Sequence, residues 1–350
     1  MPVSPQNPEF LTMPTPWLSI LIPVYNVQPY LAECVESVMQ QADEGVEVLL
    51  LNDCSTDASP ALMQELAQRW PGRLRLLQHA HNQGLSAARN SMIDAAQGDY
   101  LWFLDSDDKL LPGAIPALKH IVERHAHPDV VLCDFQFWRE KMRLKHRLRG
   151  ERHRRSFEGP SRVASKDVSA LMAGLLLPGQ LHAWSKISRR ALWTPDLRFP
   201  TGKYFEDMAT MPRLALRAKS FYYEPEPWVA YRQRDSSILA SMTLRKAADL
   251  SEALGLFSQE LARTPLEQDE KLRFALSHLS ARNLIGAMRQ LSSMSAADTL
   301  TEREAAANSF RQHFLNSAPL SATKLLQAYR RRGWWLRGHK FRKWLDYHPT

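Results

Sequence analysis

Three carboxylates follow one short apolar segment of the sequence and could bind a metal ion. The segment is Tyr100 to Leu104, and the acids belong to Asp105-Ser-Asp-Asp108. If the segment is a β-strand, Asp105 and Asp107 lie two residues apart in extended chain and point to the same side. One or two carboxylates, completed by substrate phosphates, are the usual ligands of Mg²⁺, and Mn²⁺ favours the same oxygen ligands. The pattern therefore predicts a site for a nucleotide diphosphate; the alternative is that these acids only cap the helix predicted after Pro112.

Two further segments contain residues that suit the same kind of site. Asp53 ends another apolar run, in Asn52-Asp-Cys-Ser-Thr-Asp57, where its carboxylate could accept the imide N–H of a pyrimidine base. Asp57 is more plausibly the cap of the next helix. The segment Asn82-Gln-Gly-Leu-Ser-Ala-Ala-Arg-Asn90 has a glycine at a predicted turn and then Arg89 on a helix, where a guanidinium could neutralise a phosphate. A lone arginine on a helix is usually a surface residue, so the phosphate role depends on the strand ends lying together.

Alternating strand and helix patterns in the first half of the chain predict how these residues are positioned. The predicted strands are Leu18 to Ile22, Val46 to Leu51, Leu74 to Gln78 and Tyr100 to Leu104, and the helices between them are Tyr30 to Gln41, Asp57 to Arg69 and Ser86 to Ala96. Such short alternating units are typical of a doubly wound α/β fold with a parallel sheet. Ligands bind at the carboxyl ends of the strands in these sheets, where the acids and Arg89 are expected.

The pattern changes in the second half of the chain. A helix is predicted from Gly113 to Arg124 and a strand from Asp129 to Phe137. Residues 138–149 then place Arg or Lys at every odd position from 139 to 149, a period of two that predicts a solvated hairpin arm instead of a helix. Beyond Ser237 the predicted elements are amphipathic helices, at Leu244 to Arg263, Pro265 to Leu291 and Thr301 to Phe314.

Four ordered motifs resemble those of family 2 of the inverting glycosyltransferases. They are Ser19-Ile-Leu-Ile-Pro-Val-Tyr-Asn26, the segments 52–57 and 82–90, and Asp105-Ser-Asp-Asp108. The resemblance covers roughly residues 17–235. It implies a GT-A-like, doubly wound and mostly parallel sheet with a helical C-terminal region outside it, and a nucleotide-sugar donor that is most often a UDP-sugar. The sequence departs from the family at Cys54, where glycine is usual, which predicts a tighter or shifted turn.

The resemblance also implies roles on the donor side. Pro23, Tyr25 and Asp53 would line the base, with Asn26 beside them. Asp105 would contact the ribose, and Asp107 would bind a divalent metal, Mg²⁺ or Mn²⁺. The segment Tyr231-Arg-Gln-Arg-Asp-Ser-Ser-Ile238 resembles the closing loop of the family, so Arg232 and Arg234 are candidates for contact with the diphosphate.

On the acceptor side, Tyr204-Phe-Glu-Asp-Met208 resembles the Glu-Asp element of the family. Asp207 is the predicted general base, because a base must be ionised and within reach of the attacking hydroxyl, and Glu206 is the reserve. The competing interpretation is an acidic helix start. The segment Ala183-Trp-Ser-Lys186 resembles an acceptor-site segment in which Trp184 would stack on a sugar ring and Lys186 would contact an acidic group. A buried tryptophan is the alternative.

These assignments imply an inverting transfer to a glycan or a lipid-linked acceptor by single displacement. The predicted division is a flexible leader at 1–16, a nucleotide-sugar-binding half at 17–125, an acceptor-side half at 126–238 and a helical region at 239–350. A nucleotide-sugar-binding protein without turnover remains an alternative. The sequence contains neither a G-x-x-x-x-G-K-[ST] motif nor a G-x-G-x-x-G motif after a strand, which argues against an NTPase or a dinucleotide enzyme.

The net charge of +8 is concentrated in two stretches of the 350-residue chain. Residues 139–155 hold nine Lys/Arg against two Glu, and residues 324–343 hold eight Lys/Arg and no acid. In the second stretch, Trp334, Phe341 and Leu345 share one helical stripe, which predicts a peripheral helix on an anionic membrane. A helix packed on its own domain is the alternative. Nucleic acid is the less favoured polyanion, since the acids at positions 53, 105 and 107 do not suit a bare phosphate groove.

Two features of the sequence bear on the cellular location of the protein: three scattered cysteines and the lack of an apolar segment long enough to span a membrane. Cys34, Cys54 and Cys133 form no C-x-x-C pair, which favours a reducing compartment. The sequence therefore predicts a cytoplasmic protein on the inner face of the plasma membrane.

Overall fold

A single eight-stranded mixed sheet organises the first two thirds of the protein. The computed structural model describes residues 15–139, 144–233, 242–293 and 299–349. The strands are β1 (Leu18–Val24), β2 (Val46–Asn52), β3 (Leu74–Gln78), β4 (Tyr100–Phe103), β5 (Lys109–Leu110), β6 (Val130–Trp138), β7 (Lys186–Arg189) and β8 (Phe221–Arg232). Their order across the sheet is β3-β2-β1-β4-β7-β6-β8-β5.

The four strands β1 to β4 form the parallel part that the sequence predicts. β1 pairs in parallel with both β2 and β4, and β2 pairs in parallel with β3. The crossovers are α1 (Gln28–Met39), α2 (Ser59–Arg69) and α3 (Leu85–Ala95), and α4 (Ala114–Arg124) follows β5. β1 is buried at all seven positions because helices cover both faces of the sheet. The predicted α/β fold is confirmed, with element bounds within about two residues of those expected.

The second half of the sheet is mixed. β7 lies antiparallel between β4 and β6, while β8 pairs in parallel with β6 and antiparallel with β5. The helices of this half are α5 (Leu144–Leu148), α6 (Val168–Leu176) and α7 (Glu206–Arg217). All eight strands belong to one sheet, so the two halves predicted on either side of residue 125 share a single sheet. The predicted leader falls almost wholly on residues 1–14, which lie outside the described residues.

The hairpin arm predicted for residues 138–149 is wrong in its described part. Residues 144–148 are helical, and His146 is buried. The chain then returns along β6: the Phe137 amide donates to the carbonyl of Glu151 (2.8 Å), and Phe135 bridges to Arg154. A short helix therefore forms the turn before the chain returns along β6.

The C-terminal region is helical, as predicted. Its helices are α8 (Leu244–Glu252), α9 (Gly255–Leu261), α10 (Glu270–Ser292), α11 (Leu300–Ser317), α12 (Ala322–Arg331) and α13 (Trp335–Leu345). The first predicted helix is divided in two, α8 and α9. Within the described ranges, no helix is both long enough and apolar enough to cross a membrane.

The stripe predicted to meet a membrane faces the protein interior instead. Phe341 is fully buried, with its ring 5.2 Å from Phe314 and 6.4 Å from Tyr329. Trp334 packs against Phe274 at a ring distance of 5.6 Å. The helical period identified the apolar face correctly, but this face is covered by the other C-terminal helices, as in the alternative interpretation.

The buried phenyl ring of Phe341 fixes α13 to the helical region. We expect Phe341→Ala to lower the free energy of unfolding of this region by about 3–5 kcal/mol, because the substitution removes apolar burial and leaves a cavity. Leu336→Ala is the matched control in the same helix, since Leu336 is 87% exposed and should change stability by less than about 0.5 kcal/mol. Denaturant unfolding followed by tryptophan fluorescence measures both. Equal effects of the two substitutions would contradict the packing of α13.

Candidate active site

The Asp105–Asp108 segment forms a loop directly after β4, at the carboxyl edge of the parallel strands. Asp105 and Asp107 are partly exposed, whereas Asp108 is 1% exposed. Burial, followed by the Asp107 and Asp105 carboxylates, raises the pKa of Asp108 well above its ordinary value. One Asp108 oxygen accepts the main-chain N–H of Arg232 at 2.8 Å. Asp108 therefore anchors the loop to β8, and Asp105 and Asp107 are the partly exposed acids of the loop.

Arg232 holds the same loop from the other side. Its Nε donates to the main-chain oxygen of Asp107 (2.8 Å), its Nη2 pairs with Glu33 on α1 (2.8 Å), and its guanidinium lies 3.6 Å from the ring centroid of Trp138. These contacts position the loop. A contact of Arg232 with diphosphate stays a prediction, and Arg234 lies outside the described residues.

The role predicted for Arg89 requires correction. This side chain on α3 is 1% exposed, and its guanidinium contacts Asp105 (2.9 Å), Glu206 (3.0 Å) and Asp207 (2.7 Å). The ring of Phe199 lies 5.1 Å from the guanidinium carbon. Arg89 is thus an internal cation that joins the loop after β4 to the start of α7, and it is too buried to meet a donor phosphate.

Glu206 and Asp207 begin α7, as the acidic-helix-start interpretation proposed, but they also face the site. Asp207 accepts N–H bonds through both oxygens, from Arg89 and from the Ala183 amide (3.0 Å). Phe205, before them, has φ +60°, a left-handed conformation that is uncommon for a bulky residue and turns the chain into the helix. Burial and the neighbouring Asp207 carboxylate raise the pKa of Glu206 to about 7.

The two residues expected to touch the acceptor are buried. Lys186 is 2% exposed and donates to the carbonyls of Gln180 (2.5 Å) and His182 (3.1 Å) and to the Ser185 hydroxyl (2.7 Å). All three ammonium protons are therefore used within residues 180–186, and burial lowers the pKa of Lys186 to about 7. Trp184 is 1% exposed. The predicted contacts with the acceptor are wrong for both, and these side chains shape the loop whose Ala183 amide holds Asp207.

His182 is the side chain of this loop that the sequence did not single out. It is partly exposed, stacked on Trp184 at 4.7 Å with ring planes 6° apart, and burial lowers its pKa to about 4. Its imidazole is therefore neutral at physiological pH. Residues 183–185, between His182 and Lys186, form a 3₁₀ turn and not an α-helix. A helical spacing rule applied to the sequence therefore does not identify His182 as a residue of this loop.

Asp53 ends β2 as expected and holds a neighbouring loop. Its two oxygens accept the amides of Gln83 (2.9 Å) and Gly84 (2.7 Å), and one also pairs with His79 Nδ1 (2.6 Å). Asp53 thus fixes the turn before α3, where Gly84 has φ +85°. His79 is a residue of this site that was not predicted, although its position directly after β3 was a signal.

The loops after β1 and β2 meet beside Asp53. Asn26 accepts the Thr56 amide through Oδ1 (2.8 Å), Pro23 is buried within β1, and Tyr25 is 48% exposed. Cys54 has φ +60°, in the region that glycine favours, so the turn keeps a glycine-type conformation despite the substitution.

The candidate metal ligands are two carboxylates, those of Asp105 and Asp107. Among the described residues, no group of three or more His, Cys, Asp and Glu side chains could hold an ion. Asp105 and Asp107 nevertheless suit a hard cation that takes its other ligands from substrate phosphates and water.

Comparisons with known sequences and structures agree with this geometry. Residues 19–173 match the family described as glycosyl transferase family 2. The putative glycosyltransferase EpsH of Bacillus subtilis is 29% identical over 65% of this chain and 64% of its own length. The glycosyltransferase GlyA of Streptococcus pneumoniae is 30% identical over 63% of this chain, but the match spans only 31% of GlyA.

Two solved structures share the fold. S. aureus TarS 1–349 in complex with UDP-GlcNAc superposes with a TM-score of 0.67, at 20% identity, over 94% of this chain and 90% of that chain. The mannosyltransferase PcManGT from Pyrobaculum calidifontis, in complex with GDP-Man and Mn²⁺, gives a TM-score of 0.56 at 17% identity, over 94% of this chain and 86% of that chain. With the family motifs at the strand ends and this shared architecture, residues 19–173 form a region that matches glycosyl transferase family 2, and the chain has the GT-A fold that it shares with TarS.

Proposed function

We propose that this protein is an inverting glycosyltransferase that moves a sugar from a nucleotide diphosphate donor, with a UDP-sugar as first candidate, to a glycan or lipid-linked acceptor. The observation that carries the proposal is the Arg89 guanidinium, which joins Asp105 at the end of β4 to Glu206 and Asp207 at the start of α7. A donor at the strand ends and a base at α7 would then lie on either side of one reacting centre. The bound UDP-GlcNAc of TarS and GDP-Man of PcManGT support a nucleotide-sugar donor.

Asp207 is the proposed general base. Its two hydrogen bonds, from Arg89 and from the Ala183 amide, fix the orientation of the carboxylate. An ionised, oriented carboxylate can take the proton from the acceptor hydroxyl as that oxygen attacks the anomeric carbon. A single displacement of this kind inverts the anomeric configuration and needs no covalent intermediate. Glu206 remains the reserve.

The donor would lie along the ends of β1, β2 and β4. Tyr25, after β1, is exposed enough to pack against a nucleobase. Asp53, at the end of the neighbouring strand β2, holds the 82–84 turn through its carboxylate. Asp53 itself is only 3% exposed and both of its oxygens already accept hydrogen bonds, so its part is to hold this turn and not to contact the base. Asp105 would contact the ribose through the oxygen that does not face Arg89.

Asp107 would hold a divalent metal, Mg²⁺ or Mn²⁺, against the diphosphate. When bound, such an ion supplies positive charge that stabilises the departing nucleotide. The protein's own part is to hold the loop still, which Asp108 and Arg232 do by tying it to β8.

A donor screen tests the proposal directly. UDP-, GDP- and dTDP-sugars are offered with Mg²⁺ or Mn²⁺, and nucleotide release and thermal stabilisation are both recorded. We expect one nucleotide class to stabilise the protein and to be released from its sugar. Stabilisation without any release, across all acceptor preparations, would favour the binding protein without turnover.

Asp107→Ala should abolish metal-dependent donor binding while leaving the fold intact. Alanine removes the proposed metal ligand but keeps the main-chain oxygen that accepts from Arg232. Calorimetric titration with UDP, with and without Mn²⁺, measures the effect. Asp94→Ala is the matched control, because Asp94 is exposed and pairs with Arg198 away from the strand ends. Unchanged Mn²⁺-dependent UDP affinity in Asp107→Ala would disprove the metal assignment.

Asp207→Asn should keep donor affinity and lose transfer. The amide preserves the size of the side chain but cannot take a proton, so we expect the transfer rate to fall at least about a hundredfold. The measurement uses the donor found in the screen and compares Glu206→Gln, which should retain most of the transfer. If Asp207→Asn stays within about tenfold of wild type, a difference of roughly 1.4 kcal/mol, and Glu206→Gln is inactive, then Glu206 is the base.

Glu206 should also give the protein a distinctive dependence of stability on pH. Its pKa is raised from 4.5 to about 7 in the folded protein, so the folded state binds more protons than the unfolded state between these values. Stability from this group therefore falls as pH rises through that window and is constant above it. We expect the melting temperature of Glu206→Gln to decline less than that of wild type over the window. The exposed Glu65→Gln is the control, and parallel profiles for Glu206→Gln and wild type would contradict the raised pKa.

A further inference from the structure

The corner between α12 and α13 exposes two adjacent apolar side chains. Trp335 is 65% exposed and Leu336 is 87% exposed, at the first turn of α13. They point outward because Trp334 and Phe341 fix the opposite side of the segment to the helical core, and Gly333, at φ +68°, turns the chain between the two helices. The two side chains are therefore held out of the protein by a well-packed support.

The surface around these two side chains is strongly basic. Residues 324–343 contain no acid, and each of their eight cations is exposed. Arg342 follows Trp335 by seven residues and Lys343 follows Leu336 by seven, so each cation lies two helical turns along the same face. We call this surface the basic corner. It comprises Trp335, Leu336, Lys340, Arg342 and Lys343, which α13 brings together at spacings of four and seven residues.

We propose that the basic corner docks the protein on an anionic phospholipid surface, with Trp335 and Leu336 entering the interface. Clustered cations attract acidic headgroups, and each cation near an anionic leaflet adds to the free energy of membrane binding. Tryptophan favours the headgroup level, and an exposed leucine gains by leaving water for the acyl boundary. A nucleic acid would satisfy the cations but offers no apolar environment to Leu336. The proposal does not depend on the glycosyltransferase activity.

Vesicle co-sedimentation with the full chain tests the proposal. The vesicles are phosphatidylcholine alone or phosphatidylcholine mixed with phosphatidylglycerol, at low and high salt. Wild type should bind the mixed vesicles about a hundredfold more tightly than the neutral ones, and binding should weaken with salt. The double variant Trp335→Ser with Leu336→Ser should lose about tenfold or more in affinity through lost apolar insertion. Arg342→Gln with Lys343→Gln should lose about tenfold or more through lost attraction.

Matched controls separate docking from general surface effects. Leu300→Ser with Leu315→Ser removes two exposed leucines elsewhere in the helical region, and Arg263→Gln with Lys271→Gln removes two exposed cations next to acids. Both controls should bind mixed vesicles as wild type does, and all variants should melt as wild type does.

Three results would overturn the proposal. The first is equal binding of wild type to neutral and mixed vesicles. The second is equal losses in the Trp335/Leu336 variant and its leucine control. The third is binding of duplex DNA that requires Arg342 and Lys343 while vesicle binding does not, which would assign the basic corner to a nucleic acid.

Discussion

The buried ion cluster around Arg89 is the interaction on which the site depends. One guanidinium, with almost no exposure, contacts carboxylates from the loop after β4 and from the start of α7. Removing one partner of a buried ionic cluster costs about 3–5 kcal/mol, because it leaves an uncompensated charge out of water. The loop after β4 and the start of α7 therefore cannot move apart independently, because a buried cluster of opposite charges sets their relative position.

That balance also explains the state of Glu206. Three carboxylates around one cation would give a net negative charge if all were ionised, and burial makes this charge expensive. Protonation of Glu206, with a pKa of about 7, relieves it. Asp207 accepts hydrogen bonds through both of its oxygens, whereas burial and the Asp207 charge oppose ionisation of Glu206. Two adjacent acids on one helix start thus have different environments, an arrangement that lets neighbouring carboxyl groups take different roles.

The strands and helices could be predicted from the sequence, whereas the contacts between residues far apart in the chain could not. Strands β1 to β4 and their helices follow from short apolar runs and helical periods, which depend on neighbours in the chain. Arg89 was identified but given the wrong partner, since Glu206 lies 117 residues away and no spacing rule indicates that contact. Lys186 and Trp184 failed for a related reason: the resemblance predicted their role, but burial depends on how β4, β6 and β8 close around the segment. For α13, the apolar stripe was predicted correctly, and only the structure shows which surface covers it.

The helical region gives the site a rigid support. Tyr204, just before the Glu206-Asp207 pair, donates its amide to Asp249 on α8 (3.1 Å), and Arg213 on α7 pairs with Glu260 on α9 (2.7 Å). The long helix α10 packs against α6 and α8 on this side and against α13 on the other. Close-packed helices deform little, so the position of one helix constrains the positions of the helices packed against it. The start of α7 and the basic corner are thus held in one continuous packed structure, so a surface that binds the corner would also set the orientation at which the site meets an acceptor on that surface.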